Sequence, residues 1–266
     1  MGVKTAITLE ELCTVFPCTT LVPSENGVSD TVYFTDQGVI KLFETASLEA
    51  VEQEYHLLLN LSHLPVNRPK KAVFSFHGKP CIVYETLRGS SLHTVTSHHI
   101  IQISEFLHRF HQSTQGTHSS NPKLFERPRL KSLIDQTGYG PLQDIFDSID
   151  LNLSCDGIIH GDLFLDNVLF EGGELSGVLD FGEACKGDFL FDLAVVAISW
   201  CLDGVNERSN IETLLAYYNS NLCIHDFLPY MKYALLYYAT TRYLNGRDYQ
   251  ELLNKIPLLD KLKGTL

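Results

Sequence analysis

The chain has 266 residues and 44% hydrophobic content, enough for two lobes or one large domain with a buried core. The net charge of −12 argues against a nucleic-acid-binding surface. Seven cysteines without a Cys-x-x-Cys pair favour a reducing cytosol, so a cytoplasmic protein is predicted. The longest apolar run, Phe189–Leu202, contains Asp192 and is too short to span a bilayer, so no membrane partner is expected.

The first part of the chain predicts a short helix, strands and a longer helix. Thr8 and Glu11 form a capping-box pattern that begins the short helix, and Pro17 ends it. Helical spacing or β-rich composition indicates the other elements. The predicted helices are Thr8–Phe16 and Glu44–Leu61, and the predicted strands are Thr31–Phe34, Val39–Phe43, Ala72–Phe76 and Cys81–Tyr84.

The remainder of the chain is dominated by helical periodicity. In the helix predicted over Ser97–Ser113, His108 and His111 could both reach a metal ion, but no third ligand is evident, which favours packing over a zinc site. Further helices are predicted within Arg129–Ile149, over the apolar Val195–Leu202, and over Tyr230–Leu244, whose stripe of Tyr233, Tyr237 and Tyr238 favours core packing.

The stretch Gly157–Gly182 predicts a β-hairpin. Two apolar runs, Val168–Phe170 and Val178–Leu179, flank the pair Gly172-Gly173. A Gly-Gly pair supplies the positive φ that tight hairpin turns need. The two ends of the hairpin are therefore expected to lie side by side.

Three polar residues are placed to converge at those ends. Asn167 and Asp180 lie at nearly matched distances from the turn, and Asp162 lies in the loop before the first strand. Hard oxygen ligands beside a carboxylate base are what a magnesium-dependent phosphoryl transfer needs.

Two triplets in this stretch resemble the catalytic core of the kinase-like phosphotransferases. They are His160-Gly161-Asp162, with Asn167 five residues after the aspartate, and Asp180-Phe181-Gly182. The superfamily includes aminoglycoside phosphotransferases, choline kinases and homoserine kinases. Protein kinases usually have Arg at the position of Gly161, which indicates the small-molecule branch.

The resemblance implies an α+β, protein-kinase-like two-lobe fold. Residues 1–88 would form a small antiparallel-sheet lobe that covers the nucleotide. Residues 89–266 would form a mainly helical lobe that carries catalysis and substrate binding. The implied cofactors are ATP and Mg²⁺, and the implied partner is a small molecule with a hydroxyl group. The sequence does not indicate an oligomeric state.

The resemblance also implies catalytic roles. Asp162 would be the catalytic base, and Asn167 and Asp180 would be the magnesium ligands. His160 is expected to pack and hydrogen-bond the loop, because a lone histidine is more often structural. Asp192 would accept hydrogen bonds from backbone N–H groups of the catalytic loop.

Lys41, in the second strand, resembles the lysine that contacts the ATP phosphates, the alternative being an ordinary exposed lysine. Glu54 is its expected partner, which would hold the lysine extended. Glu52 is the alternative, because both glutamates are expected on the polar side of their helix.

The resemblance implies further nucleotide contacts in the segments that precede and follow these elements in the chain. The loop Ser24–Asp30 has one glycine and lacks the G-x-G-x-x-G pattern, so Ser29 and Asp30 are its candidate ATP contacts. Glu85 and Leu87 would belong to a hinge whose backbone groups hydrogen-bond the adenine.

Homoserine kinases are the most similar branch, although this chain is shorter after Leu244. The similar features are the N-terminal segment, Asp180–Cys185, Asp192–Ala194 and the helix that carries Arg242. L-Homoserine is therefore the predicted acceptor. Arg242 would face its carboxylate, with an ordinary salt bridge as the alternative, and Glu183 would face its ammonium group.

Two alternatives stay open. One is a kinase for an aminoglycoside, choline, or another amino alcohol or sugar, and the acidic net charge would suit such a cationic substrate. The other is a kinase-shaped nucleotide-binding scaffold without activity. The presence of Lys41, Asp162, Asn167 and Asp180 argues against a scaffold, because decayed kinases usually lose at least one of these groups.

Overall fold

The computed structural model describes residues 3–25, 29–117, 119, 121–202, 204–219 and 221–263. The chain divides into two compact units. The first unit comprises Met1–Ser90, Leu169–Glu171 and Ser176–Gly182, and the second comprises Ser91–Val168, Gly172–Leu175 and Glu183–Leu266. The lobe boundary at residue 88 stays a prediction. It did not assign Leu169–Glu171 and Ser176–Gly182 to the first lobe.

A five-stranded antiparallel sheet is the centre of the first unit, in the order β1-β2-β3-β5-β4. Both predicted hairpins of this region, β2–β3 and β4–β5, are confirmed. The strands are β1 Val22–Pro23, β2 Thr31–Thr35, β3 Gly38–Leu42, β4 Phe74–Phe76 and β5 Lys79–Tyr84.

Two helices accompany this sheet, α1 Leu9–Cys13 and α2 Leu48–Asn60. The capping box of Thr8 and Glu11 is present, as predicted. The predicted start of α2 at Glu44 is wrong, because Ser47 caps the helix by accepting a hydrogen bond from a backbone N–H in its first turn. The Glu44 carboxylate instead lies 2.6 Å from the ammonium nitrogen of Lys79.

The second unit is mainly helical, as predicted. This unit also contains a two-stranded antiparallel sheet, in which β6 pairs with β9. The helices are α3 Ser97–Thr114, α4 Arg127–Thr137, α5 Gly140–Asp147, α6 Phe189–Val196, α7 Glu207–Tyr218, α8 Ile224–Leu244 and α9 Gln250–Lys263, and the strands are β6 Gly157–Ile159 and β9 Cys185–Gly187.

The predicted hairpin around Gly172-Gly173 is confirmed. Its strands, β7 Val168–Glu171 and β8 Glu174–Val178, pair as a separate two-stranded sheet. Gly172 has a φ of 62° and Gly173 a φ of 90°, both in the region that favours glycine. The turn therefore requires the residues from which it was predicted.

The core packing predicted for the tyrosine stripe of α8 is confirmed. Phe106, Phe110 and His111 of α3 are buried, and so are Tyr233, Tyr237 and Tyr238 of α8. Each of the seven cysteines, all within the described part of the chain, is a free thiol. Among the described residues, no helix combines the length and the apolar composition that a membrane crossing requires.

Candidate active site

The loop between β6 and β7 brings two predicted catalytic residues together. The side-chain nitrogen of Asn167 donates a hydrogen bond of 2.7 Å to the backbone carbonyl of Asp162 and one of 3.0 Å to its Oδ2. Because this nitrogen faces Asp162, the amide oxygen of Asn167 faces away from it. Asn167 therefore holds the carboxylate and still presents an oxygen atom.

Asp192 fixes the start of the loop, as predicted. Its two carboxylate oxygens accept hydrogen bonds of 2.8 Å from the backbone N–H groups of His160 and Gly161. Burial alone would raise the pKa of Asp192, but the hydrogen bond and charge of His111 and the charge of His160 lower it below its ordinary value. The carboxylate is therefore held ionised, as an acceptor of backbone hydrogen bonds.

His111 is a buried structural residue, as the packing interpretation predicted. Its two ring nitrogens lie 3.0 Å from Asp192 Oδ2 and 2.8 Å from the Tyr218 hydroxyl. His108 accepts a hydrogen bond of 2.8 Å from Gln112. No group of three or more His, Cys, Asp or Glu residues is arranged to hold a metal ion in the part of the chain that the structure describes.

Two aromatic residues hold backbone carbonyls of the same loop, and sequence reasoning missed both roles. The Tyr238 hydroxyl donates to the carbonyl of Gly161. The Trp200 indole nitrogen donates to the carbonyl of Leu163 at 3.1 Å. Buried Tyr and Trp usually find a hydrogen-bond partner, which was the available signal, but the identity of that partner depends on tertiary packing.

His160 and Gly161 show why the first triplet has its composition. His160 is fully buried, and its Nδ1 accepts a hydrogen bond of 3.2 Å from the backbone N–H of Asp162, which confirms a structural role. Gly161 has a φ of 80°, and a Cβ atom there would lie 2.3 Å from the Phe125 ring. A side chain at position 161 would therefore clash with a buried aromatic residue of this chain.

In the first unit, the ammonium group of Lys41 is surrounded by carboxylates. It lies 2.8 Å from Asp180 Oδ1 and 3.3 Å from Asp30 Oδ2. Burial alone would lower the pKa of Lys41, but the charges of Glu54, Asp180 and Asp30 raise it above its ordinary value. The side chain is only 11% exposed, so the alternative of an ordinary exposed strand lysine is wrong.

Glu54 is buried and Glu52 is exposed, so the expectation that both lie on the polar side of α2 is wrong for Glu54. Within the described residues, the ion pairs of Lys41 are with Asp30 and Asp180, so Glu54 acts on Lys41 by charge at longer range. Burial raises the pKa of Glu54, against the opposing effects of Lys41 and a hydrogen bond from Tyr84.

The donor chemistry of Asp180 and Asn167 suits a magnesium ion. Asp180 has a φ of 60°, in the left-handed region where Asp is several-fold enriched, and its side chain is half-exposed. A half-exposed carboxylate and an amide oxygen are hard donors that suit Mg²⁺, which is usually held by one or two protein groups together with phosphates. The residues fit the ion, and their convergence stays a prediction because they belong to different units.

The remaining predicted nucleotide contacts lie in the first unit. The carbonyl of Ser29 accepts a hydrogen bond from Lys4 at 2.8 Å, and Asp30 Oδ1 accepts one from the backbone N–H of Glu44 at 3.0 Å. The backbone N–H of Glu85 donates a hydrogen bond of 2.8 Å to the backbone carbonyl of Arg68, so this N–H group is already engaged.

Two further predictions complete this region. A Cβ atom at Gly177 would lie 2.4 Å from Leu87 Cδ1, so Leu87 packs against a residue of β8. Residues 26–28 of the predicted phosphate-covering loop lie outside the described residues.

The two candidate substrate residues both lie in the second unit but differ in their surroundings. Arg242 Nη1 lies 3.7 Å from Glu251 Oε2, so the salt bridge that was the alternative for this residue is present. Glu183 is exposed. The pKa values of Tyr237 and Tyr238 are raised mainly by the burial of these tyrosines, and the charge of Glu183 is a further cause. Glu183 therefore lies near the tyrosine that holds the catalytic loop.

Residues 20–218, more than half of the chain, match the phosphotransferase enzyme family. The chain belongs to this family. It is accordingly an ATP-dependent phosphotransferase that acts on a hydroxyl group, as the two triplets predicted.

Curated relatives of this phosphotransferase include homoserine kinases. The chain is 28% identical to the homoserine kinase of Methylobacillus glycogenes over 218 residues, which are 73% of this chain and 69% of the relative. It is 31% identical to that of Neisseria meningitidis serogroup B over 209 residues, which are 68% of this chain and 66% of the relative.

Solved structures of the same superfamily share the fold. The GDP complex of aminoglycoside 2'-phosphotransferase-IIIa has a TM-score of 0.67 at 17% identity, over 96% of each chain. Choline kinase LicA from Streptococcus pneumoniae has a TM-score of 0.65 at 17% identity, over 95% of this chain and 96% of that one. The predicted protein-kinase-like α+β fold is confirmed.

Proposed function

We propose that this phosphotransferase is a homoserine kinase, which transfers the γ-phosphoryl group of ATP to L-homoserine and forms O-phospho-L-homoserine. The observation that carries the proposal is the similarity to curated homoserine kinases, at 28% and 31% identity. The aminoglycoside and choline phosphotransferases are similar at 17% identity, which supports the fold and not their acceptors.

In the proposed reaction, Asp162 is the catalytic base. The hydroxyl oxygen of the acceptor attacks the γ-phosphorus, and the bond from that phosphorus to the β–γ bridging oxygen breaks. ADP leaves with the electron pair, and the hydroxyl proton passes to the Asp162 carboxylate. Support comes from the hydrogen bond of Asn167 to Asp162 Oδ2, which restricts the orientation of this carboxylate, and from its second bond to the Asp162 backbone carbonyl.

The nucleotide is ATP, and we assign its phosphate contact to Lys41. Asn167 and Asp180 would hold Mg²⁺, which when bound neutralises charge on the phosphates. Asp30 contributes by holding Lys41, with which it forms an ion pair of 3.3 Å.

The outer contacts to ATP are assigned to backbone groups. Ser29 would contact the phosphates from the covering loop. Glu85 and Leu87 would contact the adenine, and support comes from the backbone N–H of Glu85, which is already bonded and leaves its carbonyl as the acceptor.

The acceptor is a zwitterion, so its site needs a cation and an acid. Arg242 would bind the carboxylate, since an Arg side chain matches a carboxylate with two hydrogen bonds. Its present pair with Glu251 is partly exposed and 3.7 Å long, and pairs near the surface contribute about 0–1 kcal/mol, so a substrate carboxylate can replace it. Glu183 would bind the ammonium group.

An acceptor panel tests the proposal. ATP consumption and product mass would be measured with L-homoserine, L-serine, choline and kanamycin-type aminoglycosides, and L-homoserine should be phosphorylated in preference to the others. Arg242→Ala should raise KM for homoserine far more than KM for ATP. Arg208→Ala, which removes another exposed ion-paired arginine of the second unit, is the matched control.

Two results would contradict the homoserine proposal. Efficient turnover of another compound without turnover of homoserine would end it and leave the phosphotransferase assignment intact. Equal effects of Arg242→Ala and Arg208→Ala on KM for homoserine would remove Arg242 from the acceptor site.

A further inference from the structure

The register of the first-unit sheet places Tyr84 on the same face as Lys41. In the pairing of β3 with β5, Lys41 lies opposite Ile82 and Val39 lies opposite Tyr84. Paired residues of neighbouring strands share a face, and so do alternate residues along one strand. Tyr84 and Lys41 are therefore diagonal neighbours on one face of the sheet.

Glu54 of α2 contacts Tyr84 directly and acts on Lys41 by charge. The Tyr84 hydroxyl donates a hydrogen bond of 2.6 Å to Glu54 Oε1. A Cβ atom at Gly182 would lie 3.8 Å from Glu54 Oε2 and 3.8 Å from the Lys41 ammonium nitrogen. Glu54 Oε1 thus accepts the hydrogen bond of the tyrosine, while Glu54 Oε2 and the Lys41 ammonium nitrogen both lie near Gly182.

The hydrogen bond from Tyr84 lies in a buried environment. Tyr84 is 3% exposed and Glu54 is 4% exposed. A buried carboxylate is costly unless hydrogen bonds and charges compensate it, and within the described residues Glu54 has no ion pair shorter than 4.0 Å. The tyrosine hydroxyl is therefore the direct contact that orients this carboxylate.

We propose that Tyr84 is a positioning residue for phosphoryl transfer, because its hydroxyl fixes the Glu54 carboxylate that in turn orients Lys41. The inference rests on the proposed contact of Lys41 with the ATP phosphates. Tyr84 also ends β5 directly before the predicted adenine-binding segment, so a role in adenine binding must be separated from a role in lysine orientation.

Calorimetric titration of the full chain with two probes separates these roles. Magnesium with AMP-PNP reports phosphate contacts, and adenosine, which has no phosphate, reports adenine contacts. Tyr84→Phe removes only the hydroxyl group. It should weaken AMP-PNP binding about tenfold, the scale of a lost hydrogen bond to a charged group, and leave adenosine binding unchanged.

A matched tyrosine serves as the control. Tyr33 is also buried in this sheet, and its hydroxyl bonds to backbone groups of residues 5 and 7. It lies opposite Ile40 and so belongs to the other face. Tyr33→Phe should lower the thermal midpoint without changing affinity for either probe.

A double-mutant cycle tests the route through Glu54. In a Glu54→Gln background, Tyr84→Phe should weaken AMP-PNP binding less than it does in the natural chain, because the charged acceptor is gone. If Tyr84→Phe does not fold, Glu54→Gln alone must reproduce the selective loss of AMP-PNP affinity.

The contrary outcomes are distinguishable. Equal weakening of both probes, or fully additive effects in the cycle, would overturn the inference. Loss of AMP-PNP affinity in Lys41→Ala with no change in Tyr84→Phe would overturn it and leave the role of Lys41 intact. Unchanged affinity in both variants would overturn the proposed role of Lys41 and the inference with it.

Discussion

The two compact units hold their functional side chains by different means. In the second unit, the loop between β6 and β7, which carries the predicted base Asp162, is held through its backbone, by Asp192 at two N–H groups and by Tyr238 and Trp200 at two carbonyls. In the first unit, Lys41 is held by the carboxylates of Asp30 and Asp180.

The difference predicts different responses to substitution. Backbone hydrogen bonds from several residues share the task of fixing a loop, so each contributes on the order of 1 kcal/mol and the loss of one is tolerated. In the lysine cluster one ammonium group balances several carboxylates, so removing Lys41 leaves buried Glu54 without its counter-charge. The lysine cluster should therefore be more sensitive to a single change than the loop scaffold.

The largest effect is expected at Asp162, the group that the loop scaffold positions. Asp162→Asn should lower kcat by roughly 10²–10⁴-fold, because a positioned base contributes on that scale, while nucleotide affinity stays near normal. Asp166→Asn changes an exposed residue of the same loop and should leave kcat unchanged. Steady-state kinetics and nucleotide titration check both variants, and retained kcat in folded Asp162→Asn would exclude Asp162 as the base.

The next effect compares one residue from each unit as a metal ligand. Asp180→Ala should weaken magnesium-dependent nucleotide binding by more than about 100-fold, since even outer partners of a metal site account for roughly 10–100-fold. Asn167→Ala should cost less, because an amide oxygen carries no full charge. Nucleotide titrations with and without Mg²⁺ check this order. A crystal structure with an ATP analogue and metal in which either side chain points away from the ion would contradict the assignment.

The lysine cluster itself is tested by three alanine variants. Lys41→Ala should lower kcat/KM for ATP by roughly 10–100-fold, the scale of a lost charged hydrogen bond. Glu54→Ala should show a smaller loss of the same kind. Glu52→Ala is the matched control, because Glu52 is exposed on the same helix and should have no effect. If Glu52→Ala reproduces the loss and Glu54→Ala does not, Glu52 is the glutamate that acts on Lys41.

The smallest effect is expected from the loop scaffold. Tyr238→Phe removes one hydrogen bond, to Gly161, and should lower the free energy of unfolding by about 1 kcal/mol and kcat only slightly. Tyr233→Phe removes a buried hydrogen bond of 2.9 Å from the same helix to the carbonyl of Phe125, which is not itself part of the loop. Urea unfolding should show similar losses for both variants, with any fall in kcat confined to Tyr238→Phe. A loss of kcat near that of Asp162→Asn would contradict this prediction, because it would show that the hydrogen bond of Tyr238 alone fixes the loop.

Much of this fold could be predicted because its signals are local. The capping box at Thr8 and the Gly172-Gly173 turn each depend on residues that are close in sequence. The start of α2 was predicted wrongly because Glu44 is a good helix former, whereas its carboxylate is held by Lys79, which is distant in sequence.

The candidate site divides in the same way. Asp162, Asn167 and Asp180 could be nominated from spacing, since the chemistry of phosphoryl transfer requires those residue types, and their roles stay predictions. The face of Glu54 was assigned wrongly, because the pattern of α2 marks a glutamate as polar and does not show that Tyr84 and Lys41 compensate its burial.

Residue types and short spacings were enough to predict the family and most of the helices and strands, and they nominated the candidate site residues. The contacts that support these residues follow from the fold: the hydrogen bonds of Tyr238 and Trp200 to the loop carbonyls, the packing of Phe125 against Gly161, and the hydrogen bond of Tyr84 to Glu54. These contacts join residues between 30 and 77 positions apart. A buried polar group must find some partner, but which distant residue supplies it depends on packing, which no local pattern specifies.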